Sequence, residues 1–358
     1  MNEPIRLLPN RVWRTYTGGK QLDKFLGAST QQDSNYPEDW IASLTPAVNI
    51  GREHYADEGL SKIHFAGEKI LLLDYIKKDP VAMLGKEHYY RYGIATGFLL
   101  KFLDAAIRLH IQCHPTVQFS KARLDSNHGK TEGYYILDIR ESVSDPYIYM
   151  GFQHPPQRAD FKKAVEEQDI SFLESCFEKI PVKKGDAFYV PGGLPHAIGA
   201  GVLMIEIMEP TDFVARFEFE KAGYTLPEPA RFMNRGIDFA LDMLDFSEIS
   251  LEEVYENFFV NPELIAEERS YTERAIFRND ITPYFRLHAI DINGTYTLKK
   301  KGFCVLMIIE GSGRLISNNQ VIVASKGDKF FIPAAADQLD LISEGHVSIA
   351  VAMPPGIL

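Results

Sequence analysis

Two histidines and an amide alternate with apolar residues in one short stretch of the chain. Residues 109–114 read Leu-His-Ile-Gln-Cys-His. This period of two predicts a β-strand that places His110, Gln112 and His114 on one face. Imidazole is a common ligand of zinc and other borderline metals. The stretch alone fits a metal site and fits equally well histidines that are only hydrogen-bonded in a polar interior.

A carboxylate that could complete such a site lies in a second predicted strand. Residues 129–138 contain Lys130, Glu132 and Tyr134, which a strand would place on one face. A lysine and a glutamate on one face usually form a solvated pair. Beside a strand that already carries two histidines and a glutamine, Glu132 is also a candidate metal ligand.

The third stretch, residues 185–196, is the most specific. It has the spacing G-x5-P-x-G-x2-H and ends at His196, and it resembles the second consensus motif of the cupin family. The prolyl-glycyl turn would direct His196 back toward the mouth of a barrel. The same Gly-to-Pro interval recurs at 327–333, where Gln338 stands in place of the histidine. This internal repeat predicts a second barrel that lacks the metal histidine.

Three further charged residues lie where charge is unusual. Lys101 interrupts the apolar run 97–104, where a lysine must reach solvent, form an ion pair or take part in chemistry. Snorkelling to solvent is the most common of these outcomes. Asp212 and Arg216 are four residues apart and would share a face of a strand, where a structural ion pair is the ordinary interpretation.

The elements that must position these residues indicate an all-β-dominated fold with helical additions. The prediction is two cupin (jelly-roll) β-barrels, the first metal-binding and the second not. Residues 1–246 would form the catalytic domain and residues 247–358 the C-terminal domain. Helical patterns are predicted near 67–78, 158–180 and 231–246.

Composition excludes several classes of protein. The net charge of the 358 residues is −11, which makes nucleic acid or an anionic membrane a poor partner. No signal-peptide pattern and no run of about 18 apolar residues is found, so no membrane span is predicted. The three cysteines are scattered and odd in number, which fits a reducing compartment. We therefore expect a soluble cytoplasmic protein, and the sequence predicts no particular oligomeric state.

With these motifs in view, the chain resembles the type I mannose-6-phosphate isomerases, which are zinc-dependent proteins with two cupin units. The resemblance covers most of the chain and rests on these matches: Trp13 with its following glycines, Glu38-x-Trp40-x-x-Ser43, Gly59-Leu60-Ser61, Lys101 to Ala105, Gln112-x-His114-Pro115, Gly129-Lys130-Thr131-Glu132, Pro191-x-Gly193-x-x-His196-Ala197 and Asp212-x-x-x-Arg216.

The resemblance implies an activity and a set of site residues. One zinc ion per chain would be held by Gln112, His114, Glu132 and His196. A phosphorylated hexose would bind near Lys101, Lys130, His110 and Arg216, and the catalytic groups would be Lys101, Lys130, Asp212 and Arg216. The reaction would interconvert mannose 6-phosphate and fructose 6-phosphate through an enediol(ate).

The chemistry of isomerisation suggests how these residues divide the work. Ring opening needs an acid or base, which suits Lys101, and the developing oxyanion needs positive charge, which suits Arg216. The group that moves a proton between C1 and C2 would be Lys130 or Asp212. A lysine close to other cations is expected to have a lowered pKa, which makes it usable as a base.

Two departures from the family pattern concern the substrate. The family commonly has serine where this chain has His110, and Thr211 precedes Asp212 in place of serine. His110 would face the metal cleft and could contact the phosphate, replace the amide ligand or narrow the pocket. The alternatives are an isomerase of another, even unphosphorylated, sugar, a cupin Fe(II) oxygenase using His114, Glu132 and His196, and a non-catalytic sugar-binding protein.

Overall fold

The computed structural model describes residues 2–317, 320–336 and 338–356. Most of its regular structure is β, with short helices between the strands. No helix in these ranges has the length and apolar character that crossing a bilayer requires.

The strands, numbered along the chain, are β1 (Ile5–Arg6), β2 (Arg11–Val12), β3 (Glu38–Ile41), β4 (Lys62–Phe65), β5 (Glu68–Leu71), β6 (Leu99–Asp104), β7 (Gln112–Cys113), β8 (Glu132–Ile139), β9 (Tyr147–Met150), β10 (Ile180–Pro181), β11 (Ala187–Val190), β12 (His196–Ile198), β13 (Val202–Met208), β14 (Ala215–Arg216), β15 (Glu220–Lys221), β16 (Tyr224–Thr225), β17 (Glu263–Glu267), β18 (Tyr271–Phe277), β19 (Arg286–Ile292), β20 (Thr295–Thr297), β21 (Cys304–Ser317), β22 (Gln320–Ser325), β23 (Lys329–Ile332) and β24 (Asp340–Met353).

The helices are α1 (Lys20–Phe25), α2 (Leu72–Ile76), α3 (Pro80–Leu84), α4 (Lys86–Tyr92), α5 (Val117–Arg123), α6 (Arg158–Glu167), α7 (Ile170–Ser175), α8 (Glu228–Arg231), α9 (Ile237–Leu241) and α10 (Leu251–Asn257).

Two antiparallel sheets build the first part of the molecule. A six-stranded sheet has the order β11-β8-β13-β6-β3-β2, and a five-stranded sheet has the order β10-β9-β12-β7-β14. Side chains from both sheets, among them Ile136 and Met204 from the first and Ile148 and Ile198 from the second, share one buried core. The two sheets therefore pack face to face, and charged side chains can meet at the end of this core.

A nine-stranded sheet occupies the C-terminal part and follows the order β1-β23-β21-β24-β19-β18-β17, with β20 and β22 at its side. The outer face of the six-stranded sheet packs against it through Leu100, Phe102 and Ile205, which share a core with Val305 and Ala350. Alternation along β6 therefore turns Leu100 and Phe102 toward this second core and Lys101 toward the opposite face. Strand β1 shows that the N-terminal residues also join the C-terminal sheet.

The strand orders correct the expectation of barrels. In the described ranges the strands form open sheets, and none closes on itself. The predicted strand at 109–114 is also shorter than expected, because only Gln112–Cys113 is paired as β7. The backbone N–H of Ile111 donates instead to the carboxylate of Glu218, at 2.6 Å.

The predicted helix at 67–78 is correct only in its second half. Residues 68–71 form β5, which pairs with β4, and α2 begins at Leu72. The two residues of the connecting turn, Ala66 and Gly67, both have positive φ (51° and 84°). Two such residues in succession give the turn that suits a tight hairpin, so the chain reverses where the helical pattern predicts continuation.

The other two helical predictions have different outcomes. The segment 158–180 contains the two predicted helices, α6 and α7, separated by Gln168 in the left-handed conformation. The segment 231–246 contains only the five-residue α9. Met233, Asn234 and Gly236 have positive φ, which interrupts the helix there. The apolar residues of the predicted stripe therefore pack from a segment that is mostly not helical.

Candidate functional site

Three buried ligand-type side chains converge at the end of the core between the two sheets. Glu132 begins β8 in the six-stranded sheet, His196 begins β12 in the five-stranded sheet, and His114 directly follows β7. Their ligand atoms all lie within 4.8 Å of one another. Gln112 is the residue paired with His196 across β7 and β12, so the register itself brings the fourth predicted ligand beside the group.

Both imidazoles are held in the form that binds a metal. Nδ1 of His114 lies 2.8 Å from the carbonyl oxygen of Phe213, and Nδ1 of His196 lies 2.9 Å from that of Leu194. A carbonyl only accepts, so each Nδ1 carries the proton and each Nε2 offers its lone pair. Burial lowers the pKa of both rings, that of His114 to about 3, which keeps them neutral.

The carboxylate of Glu132 faces these lone pairs. Its two oxygens lie 3.1 Å from Nε2 of His114 and 3.5 Å from Nε2 of His196. One oxygen accepts a hydrogen bond from Tyr134 at 2.6 Å. The other is buried and accepts no hydrogen bond in the described part of the chain, although the ammonium of Lys130 lies 3.3 Å from it. A buried carboxylate oxygen beside two imidazole lone pairs is a donor set that fits a divalent cation.

The amide of Gln112 completes the predicted set. Its side-chain nitrogen is placed 3.3 Å from Nε2 of His196, and exchanging the amide nitrogen and oxygen would direct the oxygen to the same point. Two imidazoles, a carboxylate and an amide oxygen are ligands that suit zinc. All four predicted metal ligands are thus brought together.

A small cavity adjoins this group, and six of the thirteen residues that line it are charged. The charged members of its wall are Arg14, Glu38, Lys101, Lys130, Glu206 and Arg216. Gln112 and His110 also line it, so the cavity reaches the candidate metal group directly. Asp212 is not part of the lining.

Lys101 is buried and paired, so the expectation that it snorkels to solvent is wrong. Its ammonium lies 2.8 Å from Glu206 and 3.4 Å from Glu38. Burial opposes its charge, but the two carboxylates raise the pKa of Lys101 above its ordinary value. Burial raises the pKa of Glu206 to about 7, against the charge of Lys101. A lysine that is held in its protonated form and a carboxyl that can exchange a proton near neutrality therefore lie side by side.

Lys130 has the opposite character. Its ammonium lies 3.3 Å from Glu132 and 3.4 Å from Nε2 of His114. Burial lowers the pKa of Lys130, and the charge of Lys101 acts in the same direction, while Glu132 opposes them. The direction is the one that the predicted role of Lys130 as a base requires.

Asp212 and Arg216 do not form the ion pair that their spacing predicts. Asp212 lies outside the regular strands and binds Arg14 through two hydrogen bonds of 3.0 Å. Arg216 donates to the carbonyl of Ala230 at 3.1 Å and has no carboxylate within ion-pair distance among the residues described. Burial, with the charge of Arg14, lowers the pKa of Arg216 to about 10.

His110 lies in the wall of the cavity. Nδ1 lies 2.8 Å from the carbonyl oxygen of Glu218, and Nε2 lies 3.1 Å from the hydroxyl of Thr15. Nδ1 therefore donates a hydrogen bond to the carbonyl of Glu218, and Nε2 accepts a hydrogen bond from the hydroxyl of Thr15. Burial, then the charge of Arg216, lowers the pKa of His110 to about 3, so the ring is neutral. Both ring nitrogens are hydrogen-bonded to groups outside the candidate metal group. Of the three roles predicted for His110, narrowing the pocket is the one that this geometry fits.

Sequence reasoning missed Arg14 and Glu206. Glu206 could have been found, because it is a single carboxylate in the apolar run 203–208, as Lys101 is a single lysine in its own run. The two stand opposite each other across β13 and β6. Arg14 lies on a loop next to Trp13, and no spacing pattern connects it with Asp212, 198 residues later.

Comparisons with known proteins agree with this fold. The family model of the mannose-6-phosphate isomerase cupin domain matches residues 277–354. Probable mannose-6-phosphate isomerase GmuF of Bacillus subtilis (strain 168) is 26% identical over 357 residues, which cover 99% of this chain and 100% of GmuF.

Solved structures share the same architecture. The mannose 6-phosphate isomerase from Bacillus subtilis superposes with a TM-score of 0.75 at 21% identity, covering 98% of this chain and 99% of the other. A mannose 6-phosphate isomerase bound with zinc and yttrium gives a TM-score of 0.69 at 18% identity, again covering 98% and 99%.

The fold and the site together define a β-rich protein with a cupin domain and a candidate metal group of two histidines and a glutamate. Within that class, the resemblance to the type I phosphomannose isomerases is confirmed along nearly the whole chain.

Proposed function

We propose that the protein is a metal-dependent isomerase that interconverts mannose 6-phosphate and fructose 6-phosphate. The observation that carries the proposal is the position of His114, Glu132 and His196 next to a cavity walled by lysine and arginine. A group of metal ligands beside cations fits a phosphorylated sugar better than dioxygen. The names and the coverage of the relatives support the same reaction.

One zinc ion per chain, held by Gln112, His114, Glu132 and His196, is the proposed cofactor. When bound, such an ion supplies positive charge that polarises an oxygen of the sugar. The neutral tautomers and the position of the Glu132 carboxylate beside both Nε2 atoms support this assignment, as does the zinc of the structural relative.

The residues of the cavity divide the proton transfers. Lys101, held protonated by Glu206 and Glu38, gives a proton to the ring oxygen as the bond from that oxygen to C1 breaks, and it regains a proton from the C1 hydroxyl, which becomes the aldehyde oxygen. Lys130, with its lowered pKa, takes the proton from C2 and returns it to C1 after the enediol forms. Arg216 stabilises the negative charge on the sugar oxygen while the enediolate exists. Asp212 is the other candidate for the transfer, but its pairing with Arg14 favours Lys130.

We further propose that residues 1–246 and 247–358 are two cupin units. The family model falls in the second unit. The second unit has Gln338 where the first has His196, and its interior is filled by apolar side chains such as Leu306, Ile308 and Leu315. It would therefore hold no metal of its own. The proposed cytoplasmic location rests on three buried, unpaired cysteines.

The reaction can be tested by following mannose 6-phosphate by NMR in D2O. Conversion to fructose 6-phosphate with deuterium at C1 is the expected result, because the enediol exchanges its proton with solvent through Lys130. Turnover of unphosphorylated mannose at an equal rate would instead assign the protein to another sugar. Absence of turnover with every aldose and aldose phosphate would contradict the proposal.

A further inference from the structure

Arg14 stands between Asp212 and the cavity. The guanidinium lines the cavity, whereas Asp212 does not. The two terminal nitrogens of Arg14 each donate to one oxygen of Asp212 at 3.0 Å. A bound sugar would therefore meet the arginine on this wall, with the aspartate behind it.

The oxygens of Asp212 are already occupied. Besides the two bonds from Arg14, one oxygen accepts the backbone N–H of Val48 at 2.9 Å. The side chain is 1% exposed. Burial alone would raise the pKa of Asp212, but the charge and hydrogen bonds of Arg14 hold it well below the ordinary value. A carboxylate fixed in this way is a poor acceptor for a substrate proton.

Arg14 has donors left for a ligand. A guanidinium carries five N–H groups, of which two are bonded to Asp212, and Nε faces Glu38 at 3.3 Å. One N–H on each terminal nitrogen remains. The charge of Arg14 also acts on Arg216, which has no carboxylate partner in the described ranges. Two guanidinium groups on one cavity attract an anionic occupant.

We propose that Arg14 binds an oxygen of the sugar phosphate and that Asp212 is a positioning residue that holds Arg14, not the group that transfers the proton. The inference rests on the proposed isomerase function and deepens it. It accounts for the fork-to-fork geometry of the pair, because two parallel hydrogen bonds fix the plane of the guanidinium. It also leaves the proton transfer to Lys130.

The test compares D212N and R14K by steady-state kinetics with mannose 6-phosphate. D212N keeps the side-chain volume and one acceptor for Arg14, so KM should rise about tenfold while kcat stays within about threefold. R14K keeps the charge but loses the fork, and its KM should rise more than about tenfold. The limbs of the pH–kcat profile should coincide with those of the wild type in both variants.

Asp212 as the proton-transfer group predicts the reverse pattern. A fall in kcat of about a thousandfold in D212N with an unchanged KM, or near wild-type kinetics of R14K, would overturn the inference. If D212N unfolds, calorimetric titration of R14K with mannose 6-phosphate decides the matter: weakened binding supports the role of Arg14, and unchanged binding overturns it.

A matched control variant and the wild-type protein distinguish a failure of the roles proposed for Arg14 and Asp212 from a failure of the proposed isomerase function. R52K makes the same change at a guanidinium paired with Glu58 outside the cavity lining, and should leave KM unchanged. A wild type without isomerase activity would refute the proposed function itself. An active wild type assigns any deviation from the expected pattern to the roles of Arg14 and Asp212.

Discussion

The smallest unit that determines the proposed chemistry is the pair of protonated Nδ1 atoms on His114 and His196. Each is fixed by a backbone carbonyl, so both Nε2 lone pairs are directed at Glu132. The neighbouring lysines differ for an equally local reason. Lys101 has two carboxylates to hold its proton, whereas among the described residues Lys130 has only Glu132 within ion-pair distance, which the proposed metal would share.

Removing the charge of Glu132 should remove the metal. In E132Q the amide oxygen cannot balance a divalent cation, so we expect the zinc content of the purified protein to fall from about one per chain to below about 0.1, with kcat reduced at least about a hundredfold. Metal analysis and kinetics measure both effects. Y134F, which loses only the 2.6 Å hydrogen bond to Glu132, is the control and should retain its zinc. Full metal content in E132Q would contradict the ligand assignment.

At the scale of elements, the side chain of Glu218 substitutes for a backbone hydrogen bond of the five-stranded sheet. Its carboxylate accepts from Arg108 at 2.6 and 2.7 Å, from Lys221 at 2.9 Å and from the backbone N–H of Ile111 at 2.6 Å. The last of these bonds replaces a ladder bond just before β7. Glu218 therefore holds the segment that leads into Gln112 and His114.

The stability provided by Glu218 should depend on pH. Burial opposes its charge, but Arg108 and Lys221 lower the pKa of Glu218 to about 2. A lowered carboxyl pKa gives stability that is complete above the unfolded value of about 4.5 and is lost as the pH falls toward about 2. E218Q should be less stable than the wild type by about 2 kcal/mol at pH 7, and this difference should shrink below about pH 4.5.

Urea denaturation of both proteins between pH 2.5 and 7 measures this difference, at intervals of about half a pH unit. E174Q is the control, because Glu174 is 40% exposed and contacts the other side of Arg108. A difference between E218Q and the wild type that stays constant across the range would show that the charge of Glu218 contributes nothing.

The sequence predicts these elements well where a pattern is local. The alternation at 109–114, the strand pattern at 129–138 and the turn at 191–193 indicate the four predicted metal ligands, and the helical spacing at 158–180 places α6 and α7. Prediction fails where the backbone turns without a strong signal, as at Ala66 and Met233 with their positive φ. It also fails where partners are remote: the pairing of Arg14 with Asp212 depends on how the loops fold over the sheets.

At the scale of the whole molecule, a buried ion pair links the six-stranded sheet to the C-terminal sheet. Lys329 of β23 contacts Asp39 of β3, and both side chains are buried. Asp39 lies between Glu38, which lines the cavity, and Trp40, whose ring lies 5.1 Å from the ammonium of Lys101. The C-terminal sheet thus contacts β3, the strand that places Glu38 in the wall of the cavity.

Breaking this pair should be more harmful than removing it. K329M leaves the carboxylate of Asp39 buried without its cation, at a cost of about 3–5 kcal/mol of unfolding free energy. The double variant K329M/D39N removes both charges and should recover most of that loss. Denaturant titration of the single and double variants measures the coupling. K184M, at the exposed contact with Glu310, should change nothing. Additive losses in the double variant would contradict the coupling.

Under the proposed function, a metal held by His114, Glu132 and His196 supports sugar-phosphate isomerisation. The most direct measurement is a coupled assay of mannose 6-phosphate conversion to fructose 6-phosphate, before and after chelation and after zinc is added back, with H196A in parallel. We expect activity in the untreated protein, its loss with the chelator, its return with zinc, and no return in H196A. A folded, zinc-loaded wild type that does not convert mannose 6-phosphate would contradict the account.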